Sequence, residues 1–313
     1  MGSARTALCT WLSIRRAGGT LVWRLEDLDP PRAVAGAAEA AMEDLAWLGL
    51  HWDEGPDRGG PYGPYRQSER SAHYTQALET LYAQGRLFPC QRSRRDLQRL
   101  AQAPHGVYEG PGLPPYPRIW RPKTLPEGWF EAFRHPAPRG PGAALRFRVA
   151  GGMVRFDDLV AGPQQQRVEN TVGDFVLQRR DGLYAYQLAV VVDDLAMDID
   201  EVVRGTDILD STARQIQLIE ALGGRVPRYA HVPLVLNAAG EKLSKRDGAL
   251  TVEFLRQRGV SPERLVGYLA WTLGLRDTPA PCTPTDLLEA FDWPRLRTED
   301  WVLPMDLETE LMR

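Results

Sequence analysis

Lys242 and Lys245 stand three residues apart in a chain that has almost no other lysine. Of 38 Lys plus Arg residues only Lys123, Lys242 and Lys245 are lysine, and the rest are arginine. The pair lies in Lys242-Leu243-Ser244-Lys245-Arg246-Asp247-Gly248, a loop expected to follow a strand and precede a helix. Two ammonium groups on such a loop can close over a polyphosphate and stabilise the charge that develops as pyrophosphate departs. Lysine, a compact charge on a flexible stem, suits a moving loop better than the rigid fork of arginine. A solvated basic turn would use the same residues; the arginine-dominated background is what sets this pair apart. The cysteines offer less chemistry. Cys9, Cys90 and Cys282 are odd in number, widely separated and without metal-ligand spacing, a pattern of reduced, incidental thiols.

The elements that would position the loop read as follows. Residues 21–28 (LVWRLEDL) predict a buried strand that runs into an acidic turn closed by Asp29-Pro30-Pro31. Helices are expected over 33–50 and 68–85, the second stopped by Gly85. From 88 to 162 prolines, glycines and arginines crowd in, with short strands only at 144–149 and 153–159, which reads as an insertion. A layered pattern then returns: strands over 174–179 and 183–192 around an Asp181-Gly182 turn, and a strand over 201–204. A helix capped by Asp210 or Ser211 follows, stopped by Gly223-Gly224, then a strand over 231–236. Helices are expected at 252–257, 262–275 and 285–291. Strands alternating with helices around an irregular insertion predict an α/β fold: a doubly wound parallel sheet in two halves. The halves are 1–87 and 163–250, with an inserted subdomain at 88–162 and a C-terminal helical segment at 251–313. Ligands of such sheets bind outside the carboxyl ends of the strands.

Composition adds bounds. Hydrophobic residues make up 43% and charged residues 25%, ordinary for a globular chain of 313 residues. No apolar run is long enough to cross a bilayer and no secretory leader is recognisable, so the expectation is a cytoplasmic protein with no membrane partner. A net charge of −3 gives no global field for nucleic acid, so any RNA contact must come from local patches.

The KLSKR loop is similar to the KMSKS-type ATP loop of class I aminoacyl-tRNA synthetases. RLEDLDPPR (24–32), YAYQLAVVVDD (184–194), VVRGTDILDSTARQ (202–215) and HVPLVLNAAGEKLSKRDG (231–248) each resemble segments of the glutamyl-tRNA synthetase family, in the same order. The resemblance spans nearly the whole chain and implies the Rossmann-type catalytic domain of that class, with ATP and Mg2+ as cosubstrates. It implies a glutamate site in which Glu26 meets the substrate ammonium, Tyr186 supplies a hydroxyl and Arg204 pairs with a substrate carboxylate. Lys242 and Lys245 become the catalytic lysines, with Lys245 most directly tied to ATP. Each of the three pocket residues alone fits an ordinary surface or core role; the ordered set distinguishes them. Only residues 247–313 follow the loop, too few for the helical domains with which glutamyl-tRNA synthetases grip the anticodon. That resembles the branch of the family that glutamylates queuosine at the wobble position of tRNA(Asp), with a monomer taking the anticodon loop to its own active site. Arg92, Arg94, Arg95 and Arg99 form a candidate phosphate-contacting patch beside the insertion. Two alternatives stay open: the catalytic body of an ordinary glutamyl-tRNA synthetase, and a non-catalytic RNA- or nucleotide-binding relative.

The chain departs from the family pattern twice. It opens Met1-Gly2-Ser3-Ala4-Arg5-Thr6-Ala7-Leu8, inside the family's HxGNARTAL motif, so the first strand and the phosphate-contacting histidine have no counterpart. None of His51, His73, His105, His135 and His231 replaces that histidine by position. The expectation is a start codon lying upstream, with a genuinely truncated form as its rival. Gly2 still offers close nucleotide approach at a helix N-terminus. Second, the family's zinc positions in the insertion correspond here to Cys90, Arg92, Tyr116 and Trp120. One thiol and one phenol do not close a tetrahedral site, and zinc is expected to be absent.

Overall fold

The computed structural model describes residues 1–29, 36–101, 113–134, 142–243, 251–304 and 307–312. Helix α1 (Gly2–Ala17) buries Ala4, Leu8, Trp11 and Leu12 along one face and ends on Gly18, whose left-handed φ of 67° closes the last turn. Helix α2 (Ala37–Trp47) follows, then α3 (Ser71–Ala83), whose end is marked by Gly85 at φ 67°. Strand β1 (Leu87–Cys90), helix α4 (Arg94–Ala101) and the short helix α5 (Glu131–Arg134) lead to β2 (Ala144–Phe147). The hairpin β3 (Val154–Asp158) and β4 (Gly162–Gln166), the turn α6 (Val168–Thr171) and strand β5 (Phe175–Gln178) come next. The order then runs α7 (Tyr186–Ala196), β6 (Glu201–Gly205), α8 (Thr212–Ala221), β7 (Arg228–Val232) and β8 (Val235–Leu236). Helices α9 (Val252–Gln257) and α10 (Pro262–Thr272), strand β9 (Trp301–Val302) and helix α11 (Leu307–Met312) complete it. Thr251 and Ser261 cap α9 and α10 by accepting the amides of Phe254 and Arg264.

The sheet that positions the site is β4-β3-β7-β6, parallel at β3–β7 and β7–β6, with β4 antiparallel at the edge. Its hairpin β3–β4 joins β7 through Asp158 opposite Tyr229. A separate antiparallel sheet, β1-β2-β5, lies beside α3, α7 and α8 and shares their core, which includes Tyr74, Leu78, Leu177, Leu188 and Leu218. A second core joins α1, α10 and the strands around Val232 and Val235. This is the mixed α/β architecture with a parallel centre that the strand–helix alternation implies. Among the described residues no helix is long and apolar enough to cross a membrane.

Four local expectations need correction. Residues 183–192 are not a strand: α7 takes over at Tyr186. Leu188 to Asp193 are all buried, and a helix enclosed on most sides presents a continuous apolar run that β-branched Val190, Val191 and Val192 make look like a strand. Residues 21–28 are extended but form no regular strand. Their hydrogen bonds go to two separate segments, Trp23 N to Glu54 O at 2.7 Å and Leu25 N to Tyr65 O at 2.9 Å. The stretch 231–236 breaks at Pro233, so β7 pairs with β6 while β8 pairs with β9. Residues 285–291 hold only a 3-10 turn at Thr285–Leu287. Ser211 does occupy the N-cap of α8, but its hydroxyl is bound to Gln187 and Arg214 instead of the helix amides.

Candidate active site

Arg204 is the next-to-last residue of β6 and stands in register with His231 on the neighbouring parallel strand β7. Both lie near the carboxyl ends of their strands, where open α/β sheets bind ligands. The guanidinium donates Nε to His231 Nε2 at 2.9 Å, one Nη to Gln215 Oε1 at 2.7 Å and the other to Thr212 Oγ1 at 2.8 Å. It also covers the Tyr229 ring, 5.3 Å from the centroid. Every one of these partners is neutral. Among the described residues no carboxylate forms an ion pair with Arg204, although Asp194 lies within its electrostatic reach. Three of its five N–H donors are engaged, and two are left to meet an anion.

Behind Arg204 the arrangement continues inward. His231 Nδ1 is 2.6 Å from Asp158 Oδ2, and both side chains are fully buried. Asp158 Oδ1 accepts the amides of Val160, Ala161 and His231 at 3.1, 2.8 and 3.1 Å. Burial alone would raise the Asp158 carboxyl, but its hydrogen bonds to His231 and to the Ala161 and His231 amides outweigh that and hold it below the usual carboxylate value.

Tyr186 is the first residue of α7, and Glu26 lies on the extended segment 21–28. Burial pushes the Tyr186 hydroxyl upward; Glu26 adds to the shift and Arg204 opposes it, so this hydroxyl sits within electrostatic reach of both. Burial likewise pushes Glu26 upward, resisted by Arg24 and reinforced by Asp194. Glu26 is nonetheless 43% exposed and Tyr186 40% exposed. Both side chains therefore keep one side open to solvent. Arg24 pairs with Asp194 at 2.7 Å, Glu26 at 3.4 Å and Asp193 at 3.7 Å. Asp193 in turn accepts from Arg70 Nε at 2.6 Å, Gln67 at 2.8 Å and the Tyr74 hydroxyl at 2.9 Å, all buried. The structure thus brings Glu26 and Arg204 within electrostatic reach of the Tyr186 hydroxyl.

Lys242 closes a turn in which Asn237 Oδ1 accepts the amides of Ala239 and Glu241, with Gly240 at φ 77°. Its ammonium pairs with Asp207, on the 3-10 turn directly after β6, so the base of the lysine loop lies at the same end of the sheet as Arg204. Lys245 lies outside the described residues. Gly2 opens α1, with Val235 of β8 the nearest neighbour to a Cβ there, at 4.0 Å, which places the helix start beside the strand that leads to Lys242. Arg5 fixes that placement: fully buried, it donates to the Pro233, Leu234 and Thr272 carbonyls at 3.0, 3.3 and 3.0 Å.

Arg92, Arg94, Arg95 and Arg99 are exposed on and before α4, whose Leu97 packs into a small cluster with Phe88, Cys90 and Tyr116. None of the four arginines forms an ion pair among the described residues. The four zinc-related positions do come together, through other contacts. Cys90 Sγ is 3.2 Å from the Tyr116 hydroxyl, Arg92 lies 5.1 Å over the Trp120 ring, and Tyr116 meets Trp120 edge-on at 5.5 Å.

Sequence reasoning missed His231, Asp158, Tyr229 and Arg5. A signal for two of them existed: Tyr229 and His231 alternate along one strand and so point to one face.

Residues 1–302 match the family model described as tRNA synthetases class I (E and Q), catalytic domain. The Glutamyl-Q tRNA(Asp) synthetase of Symbiobacterium thermophilum is 48% identical over 307 residues, covering 98% of this chain and 92% of that protein. That of Nitratidesulfovibrio vulgaris is 43% identical over 313 residues, covering 100% and 94%. A Glutamate--tRNA ligase of Leuconostoc mesenteroides is 41% identical, and the match covers 87% of this chain but 56% of that one. Among solved structures, the glutamate-tRNA synthetase of Elizabethkingia anophelis superposes with a TM-score of 0.81 at 28% identity, covering 99% of this chain and 66% of the other. With the fold and these likenesses in agreement, the chain belongs to the class I tRNA synthetase family for glutamate and glutamine, as a representative of its catalytic domain.

Proposed function

We propose that the protein activates glutamate with ATP and passes it to queuosine at the wobble position of tRNA(Asp). The observation that carries this reading is Arg204: a guanidinium held by His231, Gln215 and Thr212 at the carboxyl end of β6, within electrostatic reach of Tyr186, which also feels Glu26. A dicarboxylic amino acid needs one anion for its ammonium, one arginine fork for a carboxylate and a hydroxyl to fix its pose. Similarity at nearly full length to relatives named Glutamyl-Q tRNA(Asp) synthetase supports the acceptor.

In the first step the glutamate α-carboxylate attacks the α-phosphorus of ATP, the bond to the oxygen bridging to the β-phosphate breaks, and pyrophosphate leaves; Mg2+ bound with ATP would help neutralise that departing charge. Glu26 holds the ammonium, and Arg204 and Tyr186 orient the substrate. Gly2 lets the nucleotide approach the start of α1. Lys242 moves from Asp207 to the leaving phosphates and acts there with Lys245. In the second step a cyclopentene hydroxyl of queuosine attacks the activated carbonyl, loses its proton and releases AMP. Arg92, Arg94, Arg95 and Arg99 take phosphates of the anticodon loop, and the protein acts as a cytoplasmic monomer. Glutamate-dependent exchange of labelled pyrophosphate into ATP tests the first step. Exchange with glutamate and none with aspartate is expected; absence of exchange with either would leave a non-catalytic relative as the better description.

A further inference from the structure

We propose that Asp158 and His231 are positioning residues for substrate glutamate, acting through Arg204 by fixing which imidazole nitrogen carries the proton. The inference rests on the reading of Arg204 as a glutamate ligand and extends it to two residues that touch no substrate.

The protonation pattern follows from the donors. An arginine does not lose its proton in a protein, so Arg204 Nε–H must donate, and His231 Nε2, 2.9 Å away, must offer a lone pair. The imidazole is then neutral with its hydrogen on Nδ1, which donates to Asp158 Oδ2 at 2.6 Å. Asp158 can only accept, because its other oxygen already takes three backbone amides, from Val160, Ala161 and His231. Each link fixes the next: amides fix the carboxylate, the carboxylate fixes the tautomer, and the tautomer supplies the acceptor that aims Arg204. Both side chains are fully buried, so water does not substitute for either. The residues come from β3 and β7, and Arg204 from β6, so three neighbouring strands of one sheet hold the assembly rigidly.

Asp158→Asn is the sharpest test, because it keeps shape and reverses one donor. The asparagine carbonyl can still take the backbone amides, but its NH2 faces Nδ1, which demands a lone pair there and drives the hydrogen to Nε2. That N–H then meets Arg204 Nε–H, donor against donor. The glutamate KM in pyrophosphate exchange should rise roughly 10- to 100-fold, the range expected when an outer orienting partner is removed from a liganding side chain, while the ATP KM stays unchanged. Nitrogen-15 spectra should show His231 switching from the Nδ1–H to the Nε2–H tautomer. If Asp158→Asn does not fold, His231→Gln and His231→Leu decide: glutamine presents a carbonyl where Nε2 was and should retain more glutamate affinity than leucine. Arg204→Ala distinguishes the ligand role of Arg204 from the positioning role behind it. If it leaves glutamate KM unchanged, the reading of Arg204 is wrong. If it raises glutamate KM while Asp158→Asn switches the tautomer without changing KM, or if glutamine and leucine at 231 behave alike, the positioning role is wrong.

Discussion

In the proposed glutamate site Glu26 carries the carboxylate that meets the substrate ammonium, and its surroundings decide when that charge exists. Burial raises its titration above the ordinary glutamate value, Arg24 opposes the shift and Asp194 adds to it. A raised value means the charged form disappears sooner on acidification. The glutamate KM should therefore climb as pH falls through a window above the usual carboxylate range, with the ATP KM lagging behind. Glu26→Gln should raise the glutamate KM at neutral pH and flatten that acid limb. An unchanged acid limb in the variant would point to another group. At this scale the sequence was informative only through order: Glu26, Tyr186 and Arg204 have unremarkable individual meanings, and four motifs in succession give them one. Asp158 and His231 stayed hidden because 73 positions separate them and each passes for an ordinary strand residue.

Helix α7 shows why elements were harder to read than residues. Its apolar stretch, Leu188 to Val192, is a strand by β-branched propensity and a helix by burial, and only the packing of α3, α8 and β5 around it decides. The two carboxylates that follow are the anchor. Asp193, with no solvent exposure, is held by Arg70, Gln67, Tyr74 and Arg24, which ties α7 to α3 and to the segment bearing Glu26. Removing it leaves Arg70, itself 1% exposed, without its carboxylate. Asp193→Ala should cost about 3–5 kcal/mol in urea unfolding, the penalty for breaking one side of a buried ion pair. A change under about 1 kcal/mol would mean that α7 is held by its apolar face alone. Elements with local punctuation were legible: Gly85, Gly182 and Gly223 all adopt the positive φ that their stop positions require. Where tertiary partners set the geometry, as for the extended segment 21–28, they were not.

Across the whole molecule the charge is −3, yet α4 and the residues leading into it present exposed arginines that form no ion pair among the described residues. Replacing Arg94 and Arg95 with alanine should weaken tRNA binding without altering glutamate-dependent pyrophosphate exchange. The salt dependence of binding should fall by about one counterion for each phosphate no longer neutralised. Unchanged salt dependence would move the RNA interface elsewhere. Beside α4, Cys90, Tyr116, Arg92 and Trp120 hold one another by a thiol–phenol contact, a cation–π contact and an edge-on ring contact. Purified protein should contain far less than one equivalent of zinc and keep its thermal midpoint in chelator; one bound equivalent would contradict that. On the proposed function, a glutamate-specific site serves an anticodon base. The most direct measurement of this is transfer of labelled glutamate to tRNA(Asp) prepared with and without queuosine. Label should appear on the queuosine-bearing tRNA alone, whereas equal labelling of the two would show that the acceptor is not queuosine.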